Sequence, residues 1–278
     1  MKPDRFLSIA VFYFAVSSSA QNVVVPSGSS NADGNTYSFR GPAVDQPFTI
    51  RYQQIYAASE FTFLASQGGG WLTALHFRGD ATNGRSLGVK MPGVKLSFST
   101  TQRAPVELSS VFSDNVGTND TEVFSSSKLF FYNPAAGNLM LDFRVFQGNT
   151  NTSGMIPIVF DAVNDTNDSV ARVWGGDVNA STGLVDTIGL PTELFFWPNP
   201  KLTVQLQTNS ILLSWPVPFF LPAPLETVLE TSQSLSSKVK WQAVTNGIGM
   251  SNFVNMFTFP FDSAGPAAYF RLISTASP

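Results

Sequence analysis

The segment Gly84-Arg85-Ser86-Leu87-Gly88 has the G-x-S-x-G spacing of a serine-hydrolase nucleophile. That chemistry needs a strand, a strained turn and a helix that carries the serine at its N-terminus, with the histidine of the triad last in the chain. Pro92 and Gly93 follow too closely for such a helix, and the only histidine, His76, precedes the serine. The segment therefore predicts a glycine-bounded hairpin loop.

One histidine and no cysteine leave few routes to nucleophilic or zinc chemistry. We expect His76 to share one strand face with Arg78, as a surface or half-buried hydrogen-bonding residue. The S-x-x-K spacing occurs at Ser125 and at Ser237, both outside any helical pattern, and we attribute it to chance. The sequence thus predicts no nucleophilic residue.

Glycoside hydrolysis or polysaccharide lysis needs only two carboxylates, so the shortage of histidine does not exclude it. The first part of the chain offers Glu60, Asp80, Glu107, Asp142 and Asp161. Their spacing selects no pair, and Asp142 alternates with apolar residues, so we expect it on a solvated face or in a salt bridge to Arg144 or Arg78. We therefore assign no catalytic residue and favour a protein that is not an enzyme.

Calcium binding needs only oxygen ligands on a loop and suits an exported β protein. Asn164, Asp165 and Asp168 form the densest group of such side chains, and Asp114, Asn119 and Asp120 form a looser one. Neither group has EF-hand spacing, and runs of Asn and Asp also form turns. We expect no cofactor, apart from a structural calcium ion that the first group could bind.

Three tryptophans lie near predicted loop edges: Trp71, Trp174 and Trp197. An exposed indole is a stacking platform for sugar rings, because one side of it is apolar and broad. The alternative is that an aromatic residue at the end of a strand covers the core. These three residues are our candidates for a carbohydrate-binding site.

Short alternating runs dominate residues 21–198 and predict strands with one buried face. They are Phe48 to Tyr56, Thr73 to Phe77, Val94 to Ser99, Lys128 to Tyr132, Leu139 to Val145, Met155 to Phe160 and Val170 to Trp174. Turn signals such as Asn83-Gly84 and Asn133-Pro134 separate them. Tyr56 to Ala65 predicts a short helix that Ser59 caps. The pattern predicts an all-β, jelly-roll-like sandwich.

The chain changes in character near residue 198. Trp197-Pro198-Asn199-Pro200 predicts a rigid linker, because proline restricts the backbone and removes donors. Six short runs follow: Leu202 to Gln207, Ile211 to Trp215, Thr227 to Ser232, Trp241 to Val244, Asn255 to Phe259 and Tyr269 to Ile273. We therefore predict a second, smaller β-sandwich over residues 199–278.

Residues 1–20 have the order of a secretory signal peptide: Lys2 and Arg5, an apolar run, then small residues up to Ala20. The apolar run is shorter than the ~20 residues that span a bilayer. We expect a bacterial protein that is secreted to the periplasm, the cell surface or the extracellular space, with no membrane span in the mature chain. The net charge is −3 and no basic run exists, which argues against nucleic-acid binding.

Several segments carry a resemblance to known exported proteins. They are Arg51 to Tyr56, Leu75 to Arg78, Leu96 to Thr101, Asn115-Val116-Gly117 and Asn133 to Asp142. Through them the region from 22 to 196 resembles uncharacterised exported bacterial β-sandwich proteins, related to those that carry PEP-CTERM-type sorting tails. That tail is absent here. The C-terminal part, with Ser214-Trp215-Pro216 and Tyr269-Phe270-Arg271-Leu272, resembles a small module of other large exported bacterial proteins.

These observations together predict an exported, non-enzymatic binding or structural protein with polysaccharide or cell-surface components as partners. A carboxylate-based glycoside hydrolase or polysaccharide lyase is the alternative. A purely architectural surface protein, with the small module as spacer or attachment device, is a third possibility.

Overall fold

The computed structural model describes residues 21–30, 34, 36–37, 49–78, 89–90, 93–123, 128–146, 150–151, 160–164, 169–217, 225–235, 240–252, 254–260 and 268–276. Several sequence predictions fall outside these residues. They are the signal peptide at 1–20, the Gly84-to-Gly88 motif, the S-x-x-K serines at 125 and 237, most of the predicted strand at 155–160, Asp80, Asp165 and Asp168.

The described residues between 21 and 198 form two main antiparallel sheets and two small ones. Sheet A has the order β1 (Gln21–Val25), β15 (Thr192–Pro198), β4 (Gly70–Phe77), β8 (Phe130–Tyr132). Sheet B has the order β13 (Leu184–Asp186), β12 (Val170–Gly175), β3 (Ile50–Tyr56), β9 (Asn138–Val145), β6 (Val94–Thr101), β7 (Thr118–Val123). The small sheets are β14 (Ile188–Gly189) with β11 (Asp161–Asn164) and β2 (Thr36–Tyr37), and β10 (Thr150–Asn151) with β5 (Val89–Lys90).

The main core lies between sheets A and B. Leu72 and Phe196 of sheet A belong to one buried cluster with Tyr52, Phe98 and Leu141 of sheet B. The alternation of strand side chains explains this arrangement, because every second residue of each strand faces the opposing sheet. The prediction of an all-β sandwich is therefore confirmed, while the jelly-roll connectivity stays a prediction.

A short helical segment follows β3. A 3-10 turn, Ala58–Phe61, continues into helix α1, Thr62–Ala65, and Gly68 and Gly69 follow with φ of +75° and +107°. Such φ values favour glycine, and the helix ends before these two residues. The predicted cap is wrong: Ser59 lies inside the turn, whose N-cap residue is Ala57 and makes no side-chain hydrogen bond. Further 3-10 turns are Ser27–Ser29, Pro105–Glu107, Phe112–Asn115 and Pro134–Ala136.

Sheet B is covered on its outer face as well. Ile55 and Met140, which point away from the main core, are buried with Leu108 and Phe112 from the segment between β6 and β7. The alternation over Leu139 to Val145 correctly predicted one buried face. It did not predict that the opposite face is covered by a loop.

The described residues between 203 and 276 form two more antiparallel sheets. Sheet C has the order β16 (Thr203–Leu206), β17 (Ser210–Pro216), β21 (Val254–Pro260), β20 (Ile248–Ser251), and sheet D has the order β19 (Gln242–Ala243), β18 (Leu225–Ser232), β22 (Tyr269–Ala276). Leu213, Trp215 and Leu229 form their common core. All six predicted strands occur, and β20 is an additional one.

The predicted linker begins later than expected. Trp197 and Pro198 pair with Trp71 and Gly70 as the last residues of β15, so the first half of that prediction is wrong. Among the described residues, no strand of 21–198 pairs with a strand of 203–276. The helical segments of the described residues include none that is long and apolar enough to cross a membrane.

Candidate functional site

A row of three aromatic residues crosses the outer face of sheet A. Trp71 of β4 pairs with Phe131 of β8 on one side and with Trp197 of β15 on the other. Directly paired residues share a face, and the adjacent Leu72 and Phe196 point into the main core, so the row points outward. The rings of Trp71 and Phe131 meet edge to face with centroids 5.1 Å apart. We call these three residues the aromatic row.

A β-bulge brings a second set of side chains to the same face. The register of β4 and β15 shifts between Phe195 and Phe196, so that Thr73 is the extra residue of β4. Trp71 and His76 are an odd number of positions apart and would face opposite sides of a regular strand. Because the bulge inserts one residue, both point outward. The Thr73 hydroxyl donates a hydrogen bond to the Phe195 carbonyl at 3.1 Å.

Three polar side chains follow the aromatic residues along the strands. Oε1 of Glu193 accepts a hydrogen bond from Nδ2 of Asn22 at 2.6 Å, and Oε2 lies 3.2 Å from Nδ1 of His76. The His76 ring also contacts the ring of Phe195, with centroids 4.8 Å apart. We call Asn22, Glu193 and His76 the polar row. Together with the aromatic row and Phe195, it forms the sheet A platform.

The platform is partly open to solvent. The side chain of His76 is 65% exposed and that of Glu193 is 32% exposed. Trp71, Phe131 and Phe195 are half-buried, whereas Trp197 is buried. The indole nitrogens of Trp71 and Trp197 are buried without a hydrogen-bond partner. The surface that the row offers to a ligand is therefore that of its rings rather than of its N–H groups.

Trp174, the third predicted tryptophan, does not join this platform. It lies near the end of β12 in sheet B, where it packs against the main core and pairs with Tyr52 and Leu184. Its indole nitrogen is also buried without a partner. The structure thus brings together two of the three predicted tryptophans and places the third on the other sheet.

The candidate carboxylates hold structural contacts. Glu60 accepts a hydrogen bond from the Ser27 amide at 2.8 Å, and Glu107 accepts one from the Ala104 amide at 3.4 Å. Asp161 is buried, where it pairs with Arg78 at 2.5 Å and accepts the Gly34 amide at 2.9 Å. The Glu60 contact joins two 3-10 turns, the Glu107 contact caps its own turn, and the Asp161 contacts attach Gly34 and Arg78 to β11.

Asp142 lies at the centre of a buried charged cluster on the outer side of sheet B. Its Oδ2 accepts hydrogen bonds from Arg51, Gln53 and Arg144 at 3.0–3.1 Å, and its Oδ1 accepts a second one from Arg144. The predicted salt bridge to Arg144 is confirmed. The alternative of a solvated side chain is wrong, because Asp142 is only 5% exposed.

Two nearby aspartates have pKa values that are shifted in opposite directions. Burial alone would raise the pKa of Asp142, but hydrogen bonds from Arg144 and Gln53 and the charges of Arg144 and Arg51 outweigh it and lower the pKa. Burial, followed by the charge of Asp142, raises the pKa of Asp120, against the charges of Lys95 and Arg144. The two carboxylates therefore differ in acidity because only one has close cationic donors.

The predicted calcium ligands are only partly described. Asn164 ends β11, where its Oδ1 accepts a hydrogen bond from Thr187 at 2.6 Å. In the looser group, Asp114 accepts a hydrogen bond from Ser109, and Asn119 lies in β7 with a φ of +59°, where the register of β6 and β7 shifts. Within the described part of the chain, no three His, Asp or Glu side chains form a group that could hold a metal. Calcium binding stays a prediction.

The Asn115-Val116-Gly117 segment has a packing role. Nδ2 of Asn115 donates to Oε1 of Gln53 and to the Ser109 carbonyl, and its Oδ1 accepts the Ser109 amide. A Cβ atom on Gly117 would lie 1.8 Å from the carbonyl oxygen of Thr100, so only glycine fits there. These residues attach the covering segment to sheet B.

Sequence reasoning missed most of the platform. Phe195, Glu193 and Asn22 were not selected, because β15 and β1 were not predicted as strands. Phe131 lies in the predicted strand Lys128 to Tyr132, but its pairing with Trp71 was not predicted. The apolar run from Leu194 to Trp197 was the available signal, since an uninterrupted run of this kind is typical of a buried strand.

Comparisons with known proteins add no match to these observations. No family model matches the chain, and neither a curated protein nor a solved structure matches it. The function is therefore argued from the platform itself.

Proposed function

We propose that this chain is an exported, non-enzymatic protein that binds polysaccharide through the sheet A platform. The observation that carries the proposal is the aromatic row, in which Trp71 stands between Phe131 and Trp197 on an outward sheet face. Half-buried rings on a sheet present broad apolar surfaces, on which the apolar faces of sugar rings stack. Apolar surface rimmed by polar groups is typical of interaction sites.

The predicted signal peptide supports a location where polysaccharides are abundant. We infer a bacterial source and a mature chain at the cell surface, in the extracellular space or in the periplasm. The proposed kinship with exported β-sandwich proteins of the PEP-CTERM-associated type agrees with this location. The C-terminal sheets would then serve as a spacer, an adhesive or an attachment module.

One observation favours the alternative of a glycoside hydrolase or polysaccharide lyase. Asp120 and Asp142 are close enough to influence each other, and their pKa values are shifted apart, as in acid and base pairs. Against it, Asp142 is nearly inaccessible and its oxygens are occupied by three neighbouring side chains. Binding without cleavage is therefore the better-supported function.

The test is binding of the purified chain without residues 1–20 to cellulose, chitin, xylan, mannan and β-1,3-glucan. We expect binding to at least one of them, and a loss of at least tenfold in affinity for Trp71→Ala. The matched control is Trp241→Ala, because this half-buried tryptophan lies under Arg271 in the C-terminal part, far along the chain from sheet A. Thermal unfolding verifies that both variants are folded.

Three results would contradict the proposal. If the folded chain binds none of these polysaccharides, the platform is not a sugar site. If Trp71→Ala and Trp241→Ala weaken binding equally, the site lies elsewhere. Release of reducing sugar or of unsaturated products, abolished by Asp120→Asn, would favour the enzyme instead.

A further inference from the structure

Resting on the proposed function, we infer that the platform binds an extended, neutral polysaccharide chain that runs along the strands from the aromatic row to the polar row. Two features of one sheet face point to this ligand. An aromatic surface lies at one end of β4 and β15, and a half-exposed carboxylate lies at the other end. The bulge at Thr73 is what places both ends on that face.

The distance between the rows sets the length of the ligand. Trp197 and Glu193 are four residues apart on β15, which corresponds to about 13 Å at ~3.3 Å per residue. One pyranose ring is too small to contact both rows, so several consecutive rings are needed to cover this length. Between the rows, Ala74 opposite Phe195 adds only a methyl group to the surface, so a flat chain can lie across it.

The polar row has hydrogen-bonding capacity left for a ligand. A carboxylate has about four lone-pair positions. Glu193 uses one on Oε1 for Asn22 and one on Oε2 for His76, so that positions remain for sugar hydroxyl donors. The exposed His76 ring stands beside it. Hydrogen bonds to charged acceptors are stronger than neutral ones, so this end adds both affinity and orientation.

Charge selects against acidic polysaccharides. Among the platform residues Glu193 carries a negative charge, and none is a lysine or an arginine. Uronate or sulfate groups near Glu193 would be repelled without a compensating cation. A neutral chain with several hydroxyl groups fits this surface.

The experiment measures affinity against chain length by calorimetry. The probes are glucose, cellobiose, cellotriose and cellotetraose, with the matching xylo- and chito-oligosaccharides and with oligogalacturonate as the acidic probe. We expect affinity to rise from the monosaccharide to the trisaccharide or tetrasaccharide in the series that corresponds to the bound polysaccharide. Oligogalacturonate should bind at least tenfold more weakly than the neutral tetrasaccharide.

The variant Glu193→Gln separates this inference from the proposed function. It should lower the affinity for the tetrasaccharide about tenfold, which is the effect of losing one charged hydrogen bond. The affinity for the disaccharide should change by less than about twofold. Glu122→Gln on sheet B is the matched control, since that carboxylate is similarly exposed at 37%. Trp71→Ala should weaken every length.

The failures are distinguishable. Trp71→Ala could abolish binding while affinity is already maximal for the disaccharide, or Glu193→Gln could behave like Glu122→Gln. In either case the inference of an extended chain along the strands is wrong, and the proposed sugar site is retained. Preference for oligogalacturonate would also contradict this inference. If no neutral polysaccharide binds, the proposed function fails and this inference fails with it.

Discussion

The two outer faces of the same sandwich differ sharply. The outer face of sheet B carries charges, among them Asp142 and Arg51, and the segment with Phe112 and Asn115 covers part of it. The outer face of sheet A carries rings, and Trp71 is half-exposed there. In the sequence the charged residues were the candidates for catalysis, whereas in the fold those on sheet B stabilise the structure. The comparison teaches that the solvent exposure of a side chain, more than its chemical reactivity, distinguishes the candidate binding site from the structural core.

The charged cluster shows why Asp142, a candidate for catalysis in the sequence, has a structural role in the fold. A buried carboxylate is tolerated only when donors surround it, and Asp142 has three of them. The guanidinium of Arg51 also lies 4.4 Å from the centre of the Phe112 ring and donates to the Ala180 carbonyl at 2.9 Å. The network therefore links sheet B to the covering segment with Phe112 and to the loop with Ala180.

The largest expected effect is on sheet B. Asp142→Asn should lower the free energy of unfolding by about 3 kcal/mol, because it leaves buried arginine charge uncompensated. Urea denaturation at neutral pH measures this loss. Glu122→Gln, which breaks the exposed pair with Lys95, should cost less than about 1 kcal/mol. Similar costs for the two variants would mean that the cluster is not a structural unit.

The pH dependence of the same variant has a definite sign. Because the pKa of Asp142 is lowered on folding, its stabilisation is present above the unfolded value of about 3.8 and is lost as the pH falls through the lower folded value. The difference between wild type and Asp142→Asn should therefore shrink in acid. A difference that stays constant down to strongly acidic pH would contradict this assignment.

A smaller effect of opposite sign is expected on sheet A. Trp71→Phe keeps an aromatic ring but removes a buried N–H that has no partner, so stability should rise by about 1 kcal/mol. Polysaccharide binding should remain, since stacking needs only the ring. Thermal unfolding and binding of the same preparation measure both. A stability loss would mean that the indole, rather than a ring in general, is required for packing.

The smallest expected effect on the free energy of unfolding concerns Asp120, the second aspartate of sheet B with a shifted pKa. The pKa of Asp120 is raised on folding, so its ionised form is disfavoured once the pH exceeds the unfolded value. Asp120→Asn should therefore stabilise the protein at neutral pH, by only a few tenths of a kcal/mol because the side chain is exposed and screened. The gain should vanish in acid. Destabilisation at neutral pH would contradict the predicted sign.

Sequence patterns predicted the elements whose two faces differ. Leu139 to Val145 alternates strictly, and it forms β9 within one residue of the prediction. The run from Leu194 to Trp197 is apolar on both faces, so no alternation reveals β15. The pairing of Asp142 with Arg144, two residues away, was among the predictions. Its burial and its contact with Arg51 could not be predicted, because Arg51 is 91 residues away and meets it only across the β3 and β9 pair.

The platform was predictable only in part. Residue type alone selected Trp71 and Trp197, and the fold placed them side by side. The same criterion selected Trp174, which the register of sheet B turns toward the core. Cross-strand neighbours such as Phe131 and Glu193 depend on pairing between distant segments, and composition carries no information about that pairing.

The number of residues in β4, together with its bulge, determines which side chains the platform contains. Deleting Thr73 would leave Trp71 and His76 an even number of positions apart, so a regular strand would still carry both on one face. If the strand kept Thr73 but lost the bulge, Leu75 and Phe77 would turn toward water, or Leu72 and Trp71 would exchange faces. A relative with identical aromatic residues would therefore keep the continuous surface if it lacked both the extra residue and the bulge, and would lose it if it lacked the bulge alone.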